Sequence, residues 1–424
     1  MSGLIPSWIP SANTPDTPFP VNNLPYGVFS IGGSAPRCGV AIGDQVLDLH
    51  LLEARGVIAL PGGTVLDQGA WNSLMARGPE AWSALRDRLQ ALLREGGDPV
   101  LSGDAALQAE ALYPRAAVVL HMPFVVAEFT DFYAGRHHAT NVGTMFRGPE
   151  NALPPNWLHI PIGYNGRASS VVVSGTEIRR PWGQLKGPND DHPRFAPSQR
   201  FDIELEMGAI VGTPSSGPLS VAEADAHLFG YVLLNDWSAR DIQAWEYQPL
   251  GPFQAKATAT SISPWIVTKA ALEPFRCDTP AREFALLDHL KDAGPMLYDI
   301  ALEITLAPDG QAPSRIAQTN YREMYYSAAQ QLAHHSTAGC PMRTGDLLGS
   351  GTISGPEKAN RGSLLELSWG GKEPLSLADG SERRFIEDGD TLTLTGAAQG
   401  DGFTVGFGDC VGTVLPALPD PYRR

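Results

Sequence analysis

Four acidic residues occur where the sequence predicts that strands pass or end. Glu204 and Glu206 stand two residues apart in segment 201–207, which alternates apolar and acidic side chains, so both carboxylates point to one face of a strand. Asp131 and Asp236 each occur where an apolar run ends. Oxygen ligands select a hard cation such as Mg²⁺, Ca²⁺ or Mn²⁺ over zinc. These residues therefore predict a divalent metal site; the alternative is an ordinary acidic strand that faces solvent.

Two cations in the stretch 231–260 fit the same site. Four carboxylates around one divalent ion leave two negative charges in excess, and burial of that excess is costly unless positive side chains lie nearby. Arg240 and Lys256 both follow Asp236 within twenty residues of chain. We therefore expect both cations to lie beside the carboxylates.

A short helix is predicted to follow the apolar strand at 231–234. Ser238 and Asp241 match a capping box, which places the start of the helix at Ser238. The proline and glycine cluster at 249–252 is expected to end the segment.

One face of this helix would carry Arg240, Gln243 and Tyr247, which stand at positions i, i+3 and i+7. Ile242 and Trp245 would lie opposite, packed against the core. A guanidinium, an amide and a phenol beside a strand-terminal acid suit a small anionic ligand. The simpler alternative is a solvated surface helix.

His138 is the candidate general base. It lies seven residues after Asp131 in a glycine-containing segment, and an imidazole accepts a proton from water near neutral pH. Such a base needs an acceptor that orients its ring. Glu366, on a strand predicted at 364–369, is a plausible partner, although a lone histidine is more often structural than catalytic.

The glycine-rich segment 350–357 offers free amides and hydroxyls, including that of Thr352. It lacks the Lys-Ser/Thr ending of a phosphate-binding loop, so a simple cluster of turns is the alternative. As a functional loop, it would close over a carboxylate.

Net charge indicates which partners the protein can bind, and the cysteine pattern indicates the redox compartment in which it functions. The 424 residues carry a formal net charge of −15, whereas nucleic acids and anionic membranes require a basic surface. The four cysteines show neither CxxC nor Cys/His spacing, so the sequence indicates neither a zinc site nor a disulfide framework. With no signal peptide or membrane anchor apparent, we expect a soluble cytoplasmic enzyme that binds neither nucleic acid nor membrane.

The elements that must hold these residues are mostly strands. Alternating segments predict strands at 201–207, 299–306, 364–369 and 391–395, and short β segments separated by glycine-containing turns are predicted at 26–31, 37–42 and 45–48. Helical patterns are predicted at 71–95, 220–228 and 321–335. Because strands do not alternate with helices, we predict a β-dominated chain rather than a parallel α/β fold, in two domains, 1–120 and 121–424.

Several of these segments resemble the fumarylacetoacetate hydrolase family. The similarity rests on DFYAGRHHATNVGTMFR at 131–147, FDIELEM at 201–207, NDWSARDIQAWEYQPLGPF at 235–253, QQLAHHS at 330–336, GSGTISGPE at 349–357, LLELSW at 364–369 and QGDGFTVGFG at 399–408. It extends over nearly the whole chain. The resemblance implies a mainly β fold, with an N-terminal SH3-like β-barrel and its helical appendage followed by a C-terminal mixed β-sandwich roll, paired as a homodimer.

The resemblance also implies roles for individual residues. The metal ligands fall on Asp131, Glu204, Glu206 and Asp236, with Lys256 and Thr260 also around the metal. Catalytic roles fall on His138, Glu366, Arg240, Gln243 and Lys256, and substrate contacts on Tyr133, Arg147, Gln243, Tyr247 and Thr352. One departure is Ala259, where the family has Gly; since Gly permits backbone angles that Ala resists, we expect the local geometry to differ most there.

The implied activity is hydrolysis of a carbon–carbon bond in the diketo acid 4-fumarylacetoacetate, the last step of tyrosine and phenylalanine degradation. The nearest alternatives are an acylpyruvate hydrolase and an oxaloacetate decarboxylase of the same superfamily, which usually lack the N-terminal domain. Two further alternatives are a calcium-binding β protein without catalysis and a sugar-binding β module. A structural metal site needs no base with an orienting acid, and a sugar-binding surface would expose aromatic platforms, whereas Trp245 and Trp369 are predicted to be buried.

Overall fold

The computed structural model describes residues 3–420, 422 and 423. The strands are β1 Tyr26–Ser30, β2 Arg37–Ile42, β3 Gln45–Asp48, β4 Leu112–Pro114, β5 Val119–His121, β6 Phe129–Phe132, β7 Gly163–Asn165, β8 Val171–Val173, β9 Ile178–Arg179, β10 Trp182–Leu185, β11 Arg194–Pro197, β12 Phe201–Asp202, β13 Leu205–Val211, β14 Leu228–Asp236, β15 Ser238–Ala239, β16 Thr260–Ile262, β17 Trp265–Thr268, β18 Arg276–Cys277, β19 Leu297–Tyr298, β20 Ala301–Ala307, β21 Ser314–Asn320, β22 Leu347–Gly349, β23 Leu375–Ser376, β24 Glu382–Arg383, β25 Thr391–Gln399, β26 Thr404–Gly406 and β27 Cys410–Leu415. The α-helices are α1 Leu49–Ala54, α2 Asn72–Met75, α3 Pro79–Leu93, α4 Pro99–Ser102, α5 Ala105–Ala111, α6 Arg136–Arg147, α7 Val221–His227, α8 Arg240–Glu246, α9 Lys269–Leu272, α10 Ala328–Ser336 and α11 Leu364–Leu367. The predicted β-dominated fold is confirmed.

A 13-stranded sheet joins the N-terminal strands to the rest of the chain. Its main path is β4-β3-β2-β1-β17-β14-β13-β22-β6-β7, with β5, β8 and β16 paired beside it. A 6-stranded sheet follows the order β21-β20-β25-β27-β9, with β26 on β25. Most neighbours are antiparallel, as expected for a chain whose strands are linked by short turns rather than by crossover helices. Among the described residues, no helix is both long and apolar enough to cross a bilayer.

Strand β14 lies between the two largest hydrophobic clusters. Tyr231 and Leu233 belong to the cluster beneath the C-terminal strands. Val232 and Leu234 belong to the cluster shared with the N-terminal region. Because both faces of β14 are buried, its sequence is a largely apolar run. Asp236 lies at the end of this strand, and both hydrophobic clusters pack against the strand.

The helix predicted at 71–95 is two helices, α2 and α3. Gly78 adopts φ +87° between them, and Pro79 begins the second. Leu85, Leu89 and Leu92, on one face of this second helix, are fully buried, whereas Trp82 is half-buried. The division into domains at residue 120 stays a prediction.

The capping box at Ser238 was predicted wrongly. Ser238 remains extended in β15, where it pairs with Asp202, and its hydroxyl donates to the Asp236 carbonyl. Helix α8 therefore begins at Arg240. The Asp241 carboxylate instead accepts from the Ser198 hydroxyl at 2.6 Å.

The prediction that Trp245 is buried was also wrong. The side chain is 43% exposed, and its indole donates to Gln184 Oε1 at 3.1 Å on the hairpin β10–β11. Ile242, on the other side of α8, is buried as expected. Trp369 is half-buried, with the Arg361 guanidinium 5.1 Å from the ring centroid.

Two predicted strands have different structures. Segment 201–207 is interrupted at residues 203 and 204, and both of its faces are buried, so it is not a solvent-facing strand. Segment 364–369 contains helix α11 instead of a strand. Residues Leu364 to Ser368 are all buried, and such a run does not distinguish a strand from a short buried helix.

Hairpin β10–β11 supports helix α8 through a close approach at Gly183. A Cβ atom at this position would overlap Ile242 Cδ1 and lie 2.7 Å from its Cγ1. Glycine therefore lets the hairpin reach the buried face of the helix that carries Arg240 and Gln243.

Gly183→Ala should destabilise the protein. Overpacking at a filled site costs about 1–3 kcal/mol, so we expect a lower thermal midpoint in unfolding followed by circular dichroism. Gly217→Ala is the matched control, because a Cβ there meets nothing within 4 Å and its φ is not positive. Equal midpoints for the two variants would contradict the proposed packing.

Candidate active site

The four carboxylates predicted to bind metal meet at one end of neighbouring strands in the large sheet. Asp131 lies near the end of β6, Asp236 ends β14, Glu206 lies in β13 and Glu204 precedes it. Strands β14, β13, β22 and β6 are consecutive in the sheet. Each carboxylate is buried and offers an oxygen within 4.8 Å of the others.

The central strand β22 passes between these acids at a residue without a side chain. A Cβ atom at Gly349 would overlap Asp131 Oδ1 and lie 3.0 Å from Glu206 Oε2. Glycine at this position leaves the space in which the carboxylate oxygens face one another.

Two buried cations partly neutralise the cluster. The Lys256 ammonium contacts Glu204 and Asp236, and Arg240 NH1 lies 2.7 Å from Glu204 Oε1. Burial alone would raise the pKa of Glu204, but Arg240, Lys256 and His138 outweigh it and hold that pKa below its usual range. Burial would likewise lower the pKa of Lys256, but Asp236 and Glu204 raise it, so both partners are charged.

The remaining oxygens fit a hard divalent cation. Within the described residues, Asp131 Oδ1 and Glu206 Oε1 are buried and lack hydrogen-bond partners. Burial and then repulsion from Asp236 raise the pKa of Asp131 well above its usual range, and burial followed by repulsion from Asp131 does the same for Glu206. The four carboxylates outnumber Lys256 and Arg240, and Arg240 also pairs with Asp202, so a divalent ion would offset remaining negative charge.

His138 and Glu366 form the expected pair. His138 Nδ1 lies 2.7 Å from Glu366 Oε2, and both side chains are buried. The carboxylate also accepts from Asn141 Nδ2 at 2.8 Å and from the hydroxyls of Ser354 and Ser363 at 2.9 and 2.8 Å. Burial would raise the pKa of Glu366, but His138 and these donors lower it. An ionised Glu366 accepts a hydrogen bond from the Nδ1–H group of His138. Nε2 is then the nitrogen that can accept a proton.

The cluster and the histidine open into one cavity of about 380 Å³. Its polar lining comprises Asp131, Tyr133, His138, Arg147, Tyr164, Glu204, Arg240, Gln243, Tyr247, Lys256 and Thr352, and its apolar lining includes Phe132, Val142, Phe146, Ile162, Leu250 and Pro252. Among described residues, Arg240 NH2 and Thr352 Oγ1 are buried without hydrogen-bond partners. Unpaired buried donors at a cavity wall are suited to an anionic ligand.

The structure brings every predicted site residue to this region. Glu206 and Asp236 lie behind the cavity lining, and Glu366 lies behind His138. Thr260 contacts the cluster through Asp236 Oδ1, 3.5 Å from its hydroxyl. Arg147 lines the cavity although its Nε and NH2 groups donate to the carbonyls of Asn151 and Ala152.

Two residues at the site were missed by sequence reasoning. Tyr164 donates towards Asp131 Oδ2 at 3.0 Å and lies 3.3 Å from Asp236 Oδ2, and its surrounding sequence carries no pattern that signals this contact. Asp202 lies 2.8 Å from Arg240 Nε. Its place in the same alternation as Glu204 and Glu206 was the signal that could have identified it.

The departure at Ala259 does not strain the backbone. Ala259 is buried, and the described non-glycine residues with positive φ are Leu24 and Trp369. Alanine therefore occupies this position without the backbone angles that would require glycine. The expectation that the local geometry differs from that of the family stays a prediction.

Comparisons with known proteins identify the family and agree with the fold. A family model described as fumarylacetoacetate (FAA) hydrolase C-terminal matches residues 128–415, and one described as fumarylacetoacetase N-terminal matches residues 22–123. The chain is 48% identical to human fumarylacetoacetase over 418 residues, covering 97% of this chain and 99% of the human protein. It is 47% identical to fumarylacetoacetase of Arabidopsis thaliana, covering 95% and 97% of the two chains.

The solved structure of a fumarylacetoacetate hydrolase from psychrophilic Exiguobacterium antarcticum has the same fold. It aligns with a TM-score of 0.52 at 17% identity, covering 93% of this chain and 99% of that one. The fold and the two family models agree with the fold class predicted from the sequence. The chain belongs to the fumarylacetoacetate hydrolase family.

Proposed function

We propose that the protein hydrolyses 4-fumarylacetoacetate to fumarate and acetoacetate, the last step of tyrosine and phenylalanine degradation. The observation that carries this proposal is a single cavity in which a histidine held by a buried glutamate faces Glu204, Arg240 and Lys256. The two relatives described above, similar along nearly their whole length, are both fumarylacetoacetases.

His138 is the base that activates water. Its Nδ1 is held by Glu366, and its Nε2 lies 3.6 Å from Glu204 Oε1 at the cavity wall. Nε2 accepts a proton from water, and the resulting hydroxide attacks the carbonyl on the fumaryl side. Glu366 stabilises the imidazolium that forms.

Arg240, Gln243 and Lys256 stabilise the charge that develops on the attacked carbonyl oxygen. Arg240 carries an unpaired buried NH2 group, and its NH1 donates to Gln243 Oε1 at 3.1 Å. Such preorganised donors are typically worth several kcal/mol of the barrier. The carbon–carbon bond then breaks, its electron pair remains with the acetoacetate enolate, and protonation of that carbon completes the reaction.

A hard divalent cation, Mg²⁺ or Ca²⁺ with Mn²⁺ as a further candidate, would be held by Asp131, Glu204, Glu206 and Asp236 and would supply Lewis acidity that stabilises the enolate. Oxygen ligation and the excess negative charge support this class of ion.

Residues at the cavity wall are proposed to bind the substrate carboxylates. Tyr133, Arg147, Tyr247 and Thr352 provide phenols, a guanidinium and an unpaired hydroxyl around the lining. This local set of donors explains how a chain of net charge −15 accepts an anionic substrate.

The direct test is loss of the diketone absorbance of 4-fumarylacetoacetate with metal-loaded protein, with fumarate identified by chromatography. An acylpyruvate is assayed in parallel. Activity on the acylpyruvate alone would contradict the proposed substrate and favour a related hydrolase, and inactivity on both would contradict the proposed reaction.

His138→Ala should lower kcat by about 10²–10⁴-fold, because general-base catalysis contributes an effect of that size. Metal affinity, measured by calorimetry, should change little. His137→Ala is the matched control; that ring lies beside Glu323, 3.7 Å away, on the outer side of α6. Comparable activity in the two variants would contradict the role of His138.

Glu206→Gln should stabilise the metal-free protein and abolish its stabilisation by Mg²⁺ or Ca²⁺. The substitution relieves repulsion with Asp131 and removes one ligand charge. For the unsubstituted protein, metal at 100 times Kd should add about 2.7 kcal/mol to the free energy of unfolding. Thermal unfolding with chelator and with added metal measures both effects.

Glu150→Gln controls for the loss of one surface charge, since Glu150 is exposed. It should retain the metal-dependent increase in melting temperature. A Glu206→Gln protein that also retained this increase would contradict the assignment of Glu206 as a ligand.

We also propose a homodimer in the cytoplasm. The family resemblance supports the dimer, and four cysteines without disulfide bonds are compatible with a reducing compartment. Light scattering should return twice the chain mass of 45.4 kDa. A monomer mass would contradict the dimer, and recovery in a membrane or secreted fraction would contradict the compartment.

A further inference from the structure

Asp202 is a buried acid that the proposed mechanism does not use. Its side chain is fully buried, and it lies in β12, directly before the break that carries Glu204. It lines no part of the described cavity wall. A buried carboxylate needs hydrogen-bond donors around it. The donors to Asp202 identify the segments that it connects.

One oxygen of Asp202 contacts the arginine proposed to stabilise the oxyanion. Arg240 Nε donates to Asp202 Oδ2 at 2.8 Å, while Arg240 NH1 lies 2.7 Å from Glu204 Oε1. Two acids therefore bind two different nitrogen atoms of the guanidinium group. The remaining NH2 group keeps no protein partner among the described residues.

The same carboxylate holds the helix that carries the partner of the base. Asp202 Oδ1 accepts from the Leu364 amide at 2.8 Å, and Oδ2 accepts from the Leu365 amide at 2.9 Å. These are the first two amides of α11, which an isolated helix would leave unpaired. Glu366 follows one residue later and contacts His138 Nδ1 at 2.7 Å.

We propose that Asp202 is a positioning residue that fixes the oxyanion-stabilising Arg240 and the base-orienting Glu366 relative to each other. Four hydrogen bonds connect it with its own neighbour Ile203 and with two separate segments, helix α8 and helix α11. Because water attack and oxyanion stabilisation occur on one carbonyl, the distance between these two groups governs the barrier. This inference rests on the proposed function.

The test compares Asp202→Asn with the unsubstituted, metal-loaded protein. The asparagine side chain has nearly the same volume as that of aspartate. However, its NH2 group faces at least one of the N–H groups that donate to the Asp202 carboxylate. We expect kcat for 4-fumarylacetoacetate to fall about 10–100-fold, the usual effect of removing a residue that orients a catalytic group. KM should stay within about threefold, since Asp202 does not contact the cavity.

Hydrogen exchange measured by mass spectrometry provides a second readout. Peptides that cover residues 363–368 should exchange faster in Asp202→Asn, because the amide of either Leu364 or Leu365 loses its acceptor. Asp241→Asn is the matched control: its carboxylate also ties α8 to a neighbouring segment, through Ser198 and Gln199, away from the cavity. It should leave kcat and the exchange of 363–368 unchanged.

Asp202→Glu keeps the buried charge if the asparagine variant does not fold. It displaces the carboxylate by one methylene, so it should fold, lower kcat and speed the same local exchange. A kcat within twofold of the unsubstituted protein in either folded variant would overturn the proposal, as would a lower kcat with unchanged exchange of residues 363–368.

The two proposals can fail separately. If the unsubstituted protein does not hydrolyse 4-fumarylacetoacetate, the proposed function is wrong, and the exchange experiment alone decides whether Asp202 holds α11. If the unsubstituted protein is active and the Asp202 variants equal it, the positioning role is wrong while the function stands.

Discussion

Repulsion among buried carboxylates is the interaction on which the site depends. Glu204 lies at its centre, since one oxygen contacts Arg240 and lies 3.6 Å from His138 Nε2, while the other contacts Lys256. These cations keep Glu204 ionised although it is buried. Burial, and after it repulsion from neighbouring carboxylates, raises the pKa values of Asp131 and Glu206. A divalent ion bound by these carboxylates would therefore share Glu204 with Arg240 and Lys256.

The sheet supplies the rigidity that such a cluster requires. Strand β14 is packed on both faces, between the core beneath the C-terminal strands and the core shared with the N-terminal region. A shift of Asp236 away from the other carboxylates would require β14 to move, which would disturb the packing of both cores. Gly349 on β22 leaves room for the oxygens of Asp131 and Glu206. Carboxylates that would separate if their side chains were flexible are therefore kept close together, in an arrangement suited to a divalent cation.

The polar residues behind the cavity are organised to keep charges in fixed directions. Glu366 accepts hydrogen bonds from Asn141, Ser354 and Ser363 in addition to His138, so its carboxylate has one orientation. Arg240 is held between Asp202 and Glu204. Preorganised groups of this kind need little rearrangement as charge develops in the transition state.

The sequence by itself determined the residue types and many of the strands. Short β segments bounded by glycine-containing turns predicted β2 at Arg37–Ile42 and β3 at Gln45–Asp48 with their observed bounds, because such turns mark where strands end. It also predicted that four acids and two cations lie together. Several long motifs indicated the family, and the comparisons confirmed it.

Only the tertiary structure decided which distant groups meet and in which geometry. His138 and Glu366 are 228 residues apart. Asp202, which accepts hydrogen bonds from the first two amides of α11, lies 162 residues before Leu364, the first residue of that helix. Trp245 is exposed because hairpin β10–β11 offers its indole a partner at the surface. Local periodicity reports the environment of a segment, whereas sheet order and the desolvation of charges depend on the whole folded chain.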